Sequence, residues 1–174
     1  MKTLFAATTI AVMAALPVTA ATYDVSSNSA LDTGGFATGE TLMAGQSFSV
    51  TVIDPNDTWI LGATPREFTA DGVEVSGANY GTLSFGSSTF NYGTLVGRID
   101  GGNFFGIGLG GTFTADASGV LTLFNWDQPS SDNSGEITVD VSVPAVPLPA
   151  GGLMLLSAMA LGGAAAARKR RKSA

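Results

Sequence analysis

From Glu136 to Val143 the side chains alternate without a break. Ile137, Val139, Val141 and Val143 share one parity, and Glu136, Thr138, Asp140 and Ser142 the other. A period of two puts the four branched chains on one face of an extended strand, whereas a helix repeats its faces every 3.6 residues. Branching at Cβ favours the same conformation. Such a strand needs neighbours for its backbone groups and cover for its apolar face, so the rest of the chain must supply a sheet and something packed on it.

Similar segments recur. Gln46 to Val52 sets Phe48, Val50 and Val52 on one side, and Thr94 to Asp100 contains Leu95, Val96 and Ile99. Val120 to Trp126 divides Val120, Thr122, Phe124 and Trp126 from Leu121 and Leu123. Weaker alternation marks strands at 22–25, 67–70, 104–107 and 112–115. Between them lie turn pairs: Ala44-Gly45, Asp71-Gly72, Gly101-Gly102, Gly110-Gly111, Ser118-Gly119 and Ser134-Gly135. No long segment of the middle has helical period. About eight short strands with this punctuation predict an all-β domain, an antiparallel β-sandwich over residues 22–143.

Charge is distributed unevenly along the 174 residues. Lys2 stands near the start and five cations sit together at Arg168, Lys169, Arg170, Arg171 and Lys172. The middle keeps only Arg66 and Arg98 against all 14 acidic residues, a formal charge of −12. Such a body repels nucleic acid, which is excluded as a partner. It suits solvation outside the cell or the binding of a divalent cation. There is no cysteine and no histidine. That removes thiol chemistry, the commonest zinc ligand and the Ser-His-Asp arrangement.

The two ends read as addresses. Lys2, an apolar run from Leu4 to Pro17 and the small residues Val18-Thr19-Ala20-Ala21 have the order of a secretory leader over residues 1–21, removed by signal peptidase after Ala20 or Ala21. At the other end, Pro144, Pro147 and Pro149 make residues 144–149 a stiff linker. Residues 150–167 carry no charge. As a helix they extend roughly 27 Å, near the ~30 Å hydrocarbon core of a bilayer, which predicts a transmembrane helix. The basic residues in 168–174 then stay cytoplasmic and the body faces outward. The order of Val146-Pro147-Leu148-Pro149-Ala150, apolar helix and basic end resembles the VPLPA-type variant of PEP-CTERM sorting tails. That resemblance implies recognition in the inner membrane by an exosortase-like protein, and release to the cell envelope or an exopolysaccharide matrix if the tail is processed.

Asn125 to Gly135, between the two clearest strands, gathers Asp127, Asp132 and Asn133 in one loop. Hard oxygen donors of this kind suit calcium rather than zinc or copper, although Asp, Asn and Ser also build ordinary turns. The segments 93–100, 105–108 and 118–123, with Asp127-Gln128-Pro129 and Asp132-Asn133-Ser134-Gly135, are similar to the galactophilic, calcium-dependent bacterial lectin family and its sandwich relatives. The resemblance implies a calcium site of Asp127, Asp132 and Asn133 with carbonyls near Leu61 and Ser131. It departs from the family in a loop two residues shorter, in Asp132 replacing an amide, and in lacking the sugar-contacting histidine. Trp59 and Trp126, with Tyr80 and Tyr92, are candidates for stacking on a sugar; their alternative is core packing.

Together these features lead to a non-catalytic, exported surface or matrix protein that contacts polysaccharide. The alternative is a structural, self-associating matrix protein without a ligand. An enzyme would need a carboxylate pair, for which Asp54 with Asp57 and Asp71 with Glu74 are the nearest in sequence.

Overall fold

The structure, a computed structural model, describes residues 18–62, 66–77 and 80–145. Residues 1–17 of the leader expected over 1–21, the sorting motif Val146–Ala150, the apolar segment 150–167 and the basic cluster 168–174 lie outside the described residues, while residues 18–21 are described within a strand.

Twelve strands form among the described residues. They are β1 (Val18–Ser26), β2 (Phe36–Leu42), β3 (Ser47–Val52), β4 (Thr58–Ile60), β5 (Glu67–Thr69) and β6 (Thr82–Phe85). The others are β7 (Ser88–Asn91), β8 (Leu95–Ile99), β9 (Phe105–Gly106), β10 (Gly110–Thr114), β11 (Gly119–Asn125) and β12 (Ser134–Pro144). Every pairing between them is antiparallel. One sheet runs β10-β3-β12-β4-β5, with β1 also on β12; a second runs β2-β11-β8-β9; β6 and β7 make a separate hairpin.

The faultless alternation of 136–143 becomes the central strand. β12 takes β1 on one edge, with Tyr23 opposite Val139 and Val25 opposite Ile137. It takes β3 on the other, with Val50 opposite Val141 and Val52 opposite Val139. Ile137, Val139 and Val141 are fully buried. They meet Leu42, Leu95, Ile99, Leu121 and Leu123 of the second sheet in one apolar cluster. Two antiparallel sheets facing each other across that cluster make a sandwich.

β11 is covered on both faces. Leu121 and Leu123 point into the main core, while Phe124 and the following Trp126 join Val96 in a second cluster on the outer side. Leu83 and Phe90 of the β6–β7 hairpin cover that cluster with Leu31 and Phe104. Phe90 meets the Trp126 ring edge-on at a centroid distance of 5.0 Å. This hairpin, β2 and β4 are absent from the expected strands. β2 carries Gly39 at φ +81° and its register with β11 shifts between Val120 and Thr122, so no period of two survives in the sequence. β4 has only three residues.

Val18 stands opposite Pro144, so the ladder of β1 and β12 ends where the domain's chain both enters and leaves. The loop 127–133 precedes the opposite end of β12. At about 3.3 Å per residue the eleven residues of β12 separate these two ends by roughly 33 Å.

Candidate ligand-binding cavity

The loop after β11 is held by bonds to the chain's first connection. Leu31 N–H donates to the Asp127 carbonyl at 3.2 Å and Asn125 N–H to the Ser29 carbonyl at 2.8 Å. Ser130 N–H donates to Asp32 Oδ2 at 3.1 Å. Asn133 turns the loop back into β12, its N–H donating to the Ser130 carbonyl at 3.1 Å. Its buried amide bonds to three neighbours. Nδ2 donates to Asp127 Oδ2 at 2.8 Å and to the Ser27 carbonyl at 3.3 Å, and Oδ1 accepts the Gly62 N–H at 3.2 Å. Asn133 therefore ties Asp127 to the segment after β4.

These segments enclose a cavity of about 230 Å³ lined by Leu61, Gly62, Arg66, Tyr80, Tyr92, Asp127, Gln128, Pro129 and Asp132. Pockets for drug-sized ligands run from about 300 to 1,000 Å³, so this one accepts a single ring-sized group. Tyr80 and Tyr92 meet edge-to-face at 5.7 Å, and Tyr80 is 46% exposed. The Arg66 guanidinium lies over the Tyr80 ring, 3.9 Å from its centroid. Two carboxylates, one guanidinium, two phenols and an apolar patch at Leu61 thus share a small concave surface. A second depression, lined by Val18, Ser47, Phe48, Ser49, Thr112, Ser142 and Pro144, has no charged side chain.

The carboxylates differ in environment. Asp127 is only 7% exposed. Burial pushes its carboxyl above the ordinary range; the Asn133 amide and the Gln128 N–H pull the other way, and the negative charges of Asp132 and Asp32 add to the rise. For Asp32, burial also pushes upward, but the bonds from Ser130 outweigh it and hold the carboxyl below its usual value. Asp132 is exposed at the rim.

Of the residues expected at a metal site, Asp127, Asp132 and Leu61 line this cavity. Asn133 stands behind Asp127 as its hydrogen-bond donor. Ser131 is exposed and is not among the lining residues. Among the described residues no cluster of three or more acidic, histidine or cysteine side chains is placed to hold a metal ion.

Neither tryptophan can stack on a sugar. Trp59 and Trp126 are both fully buried. Trp59 Nε1 donates to the Gly93 carbonyl at 2.8 Å, and Trp126 Nε1 to the Leu83 carbonyl at 2.7 Å. Their rings serve the core and their polar ends are satisfied inside it. The alternation grouped Trp126 with Phe124 apart from Leu121 and Leu123, as the two clusters do, but it does not reveal that a hairpin covers that side.

The acid pairs have structural roles: Asp54 and Asp57 share a turn, and Asp71 and Glu74 lie in isolated bridges to Thr94 and Phe68. Asp54 Oδ1 accepts the Asn56 N–H at 2.9 Å, and the Asp54 carbonyl accepts the Asp57 N–H at 2.9 Å. Asp71 Oδ1 accepts the Leu109 N–H at 3.0 Å.

Two contributors were not singled out from the sequence. Asp32 buttresses the loop across 98 residues of chain, and nothing local marks it. Arg66 did leave a signal, as one of only two cations in an acidic body.

No protein-family model and no curated protein matches the chain. Among solved structures it is similar to one described as the N-terminal domain of EclA, a PllA-like lectin. The two share 21% identity over 71% of this chain and 95% of that one, with a TM-score of 0.49.

Proposed function

We propose that the protein is an exported, non-catalytic glycan-binding protein, and that the cavity beside loop 127–133 receives one sugar unit. The observation that carries this reading is the company Tyr80 and Tyr92 keep with Asp127 and Asp132 on one ring-sized concave surface. An aromatic face suits the C–H side of a pyranose, and carboxylates accept its hydroxyls. Titration with a panel of monosaccharides, followed by calorimetry, tests it. Replacing Tyr80 by Ala weakens binding by roughly fivefold, the loss expected for one ring contact. Equal affinity of Y80A and the parent protein overturns the assignment to this cavity.

A hard divalent cation such as Ca²⁺ belongs to the same reading. Asp127 and Asp132 are its ligands, since neither is neutralised by an ion pair among the described residues. Asn133 holds Asp127 in place through its Nδ2, while its oxygen accepts the Gly62 N–H. A bound cation would present a charged contact to sugar hydroxyls. Millimolar Ca²⁺ should raise the melting temperature of the parent and leave D127N unmoved.

The leader and the VPLPA-type tail support export through signal peptidase and sorting by an exosortase-like membrane protein. The body then stands outside the inner membrane, and reaches the envelope or an exopolysaccharide matrix once the tail is processed. Mass spectrometry of the protein from its native envelope tests both ends. A second reading, self-association without a ligand, is favoured by β10, which ends its sheet with one edge unpaired among the described residues. Sedimentation at rising concentration separates the two, because a glycan-binding monomer does not change its sedimentation coefficient.

A further inference from the structure

We infer that Arg66 makes this cavity selective for sugars that carry a carboxylate, the uronic acids. The inference rests on the glycan reading above and names the class of sugar. In a body with 14 acidic residues and two cations, an arginine would be expected to find a carboxylate. Arg66 does not: among the described residues it forms no ion pair, and its guanidinium stacks on Tyr80 at 3.9 Å instead. Stacking covers one face of the planar group and leaves its N–H edge available. The side chain is also fixed at its root, because the Arg66 carbonyl accepts the Leu61 N–H at 2.9 Å. A guanidinium held in this way is prepared to bind a planar carboxylate through two parallel hydrogen bonds. Arg98 offers the contrast. It lies over Phe104 and Phe124, 5.0 and 5.7 Å from their centroids, and does not line the cavity.

The remaining lining fixes the direction of the ligand. In the site without a bound cation, Asp127 and Asp132 repel a sugar carboxylate and accept hydroxyls, so the acid end faces Arg66 and the hydroxyls face loop 127–133. The negative body disfavours anions at long range. At physiological salt that field is screened beyond about 8 Å, so the selection is made at contact.

Calorimetry on the full chain in detergent, with glucuronate and galacturonate against glucose, galactose and glucosamine, tests the inference. The uronates bind roughly tenfold tighter than their neutral counterparts, as one charge-assisted pair requires. In R66Q that preference, read as the ratio of uronate to neutral-sugar affinity, falls to about twofold or less; R66K retains part of it. Thermal melting shows that both variants are folded. Equal affinity for acidic and neutral sugars, or a preference that survives R66Q, overturns the inference and leaves the glycan reading standing. Tightest binding of glucosamine overturns it as well, since the carboxylates then dominate. Absence of binding to every sugar removes the glycan reading and this inference together.

Discussion

Asp127 shows how a single side chain can serve a site and burden the fold. Its carboxyl is raised above the ordinary value of 3.8 chiefly by burial, so the folded state holds its proton more tightly than the unfolded chain does. Stability linked to this group is present below the unfolded value and is lost as pH rises through the folded one. D127N removes that loss. It should melt higher than the parent at neutral pH, match it near pH 3, and fail to bind ligand. Tyr23 is the alkaline counterpart. Burial, its hydrogen bond to Glu40 Oε1 at 2.8 Å and the Glu40 charge push its phenol up from 10.0 to about 12. The stability it contributes is kept below pH 10 and lost as pH rises towards 12; in Y23F that loss disappears from the melting curves. Gly93 is constrained sterically. It lies at φ +77°, and an added Cβ would sit 2.8 Å from Phe68 Cβ, so G93A should cost about 1–3 kcal/mol in denaturant unfolding.

Among the elements, legibility followed periodicity. β3, β8, β11 and β12 were readable because each sets branched or aromatic residues at alternate positions against a buried face. β2 was not, because the bulge at Gly39 resets the alternation. The β6–β7 hairpin was missed since its two strands have four residues each, too few for a clear period, although Leu83, Phe85 and Phe90 pack on the protein. That omission had a consequence at the site: without the hairpin, Trp126 looks exposed. The cavity was half legible. Loop 127–133 stands out by composition, Tyr80 and Tyr92 were candidates as aromatics and Leu61 through the lectin resemblance, but that these and Arg66 meet at the loop depends on chain pairing that no local pattern encodes. Removing the hairpin's grip tests its role. F90A should cost about 2 kcal/mol, below the 3–5 typical of a fully buried ring, and shift Trp fluorescence to the red. β1 allows a second test. Val18, Thr19 and Ala20 are exposed, whereas Val25 is fully buried. A chain beginning at Thr22 should therefore fold, with faster amide exchange confined to residues 141–143.

At the scale of the whole molecule, the domain gathers its entry and exit at one end of the β1–β12 ladder and its cavity beside the other. The body's charge of −12 repels anions at long range, so in the proposed reading contact chemistry in the cavity selects the ligand. Amide chemical-shift mapping during a sugar titration tests the central claim most directly. Shifts concentrated at Leu61, Gly62, Arg66, Tyr80, Tyr92 and Gln128 to Asp132 are the predicted result. A saturable response centred on any other face, or none at all, would contradict it.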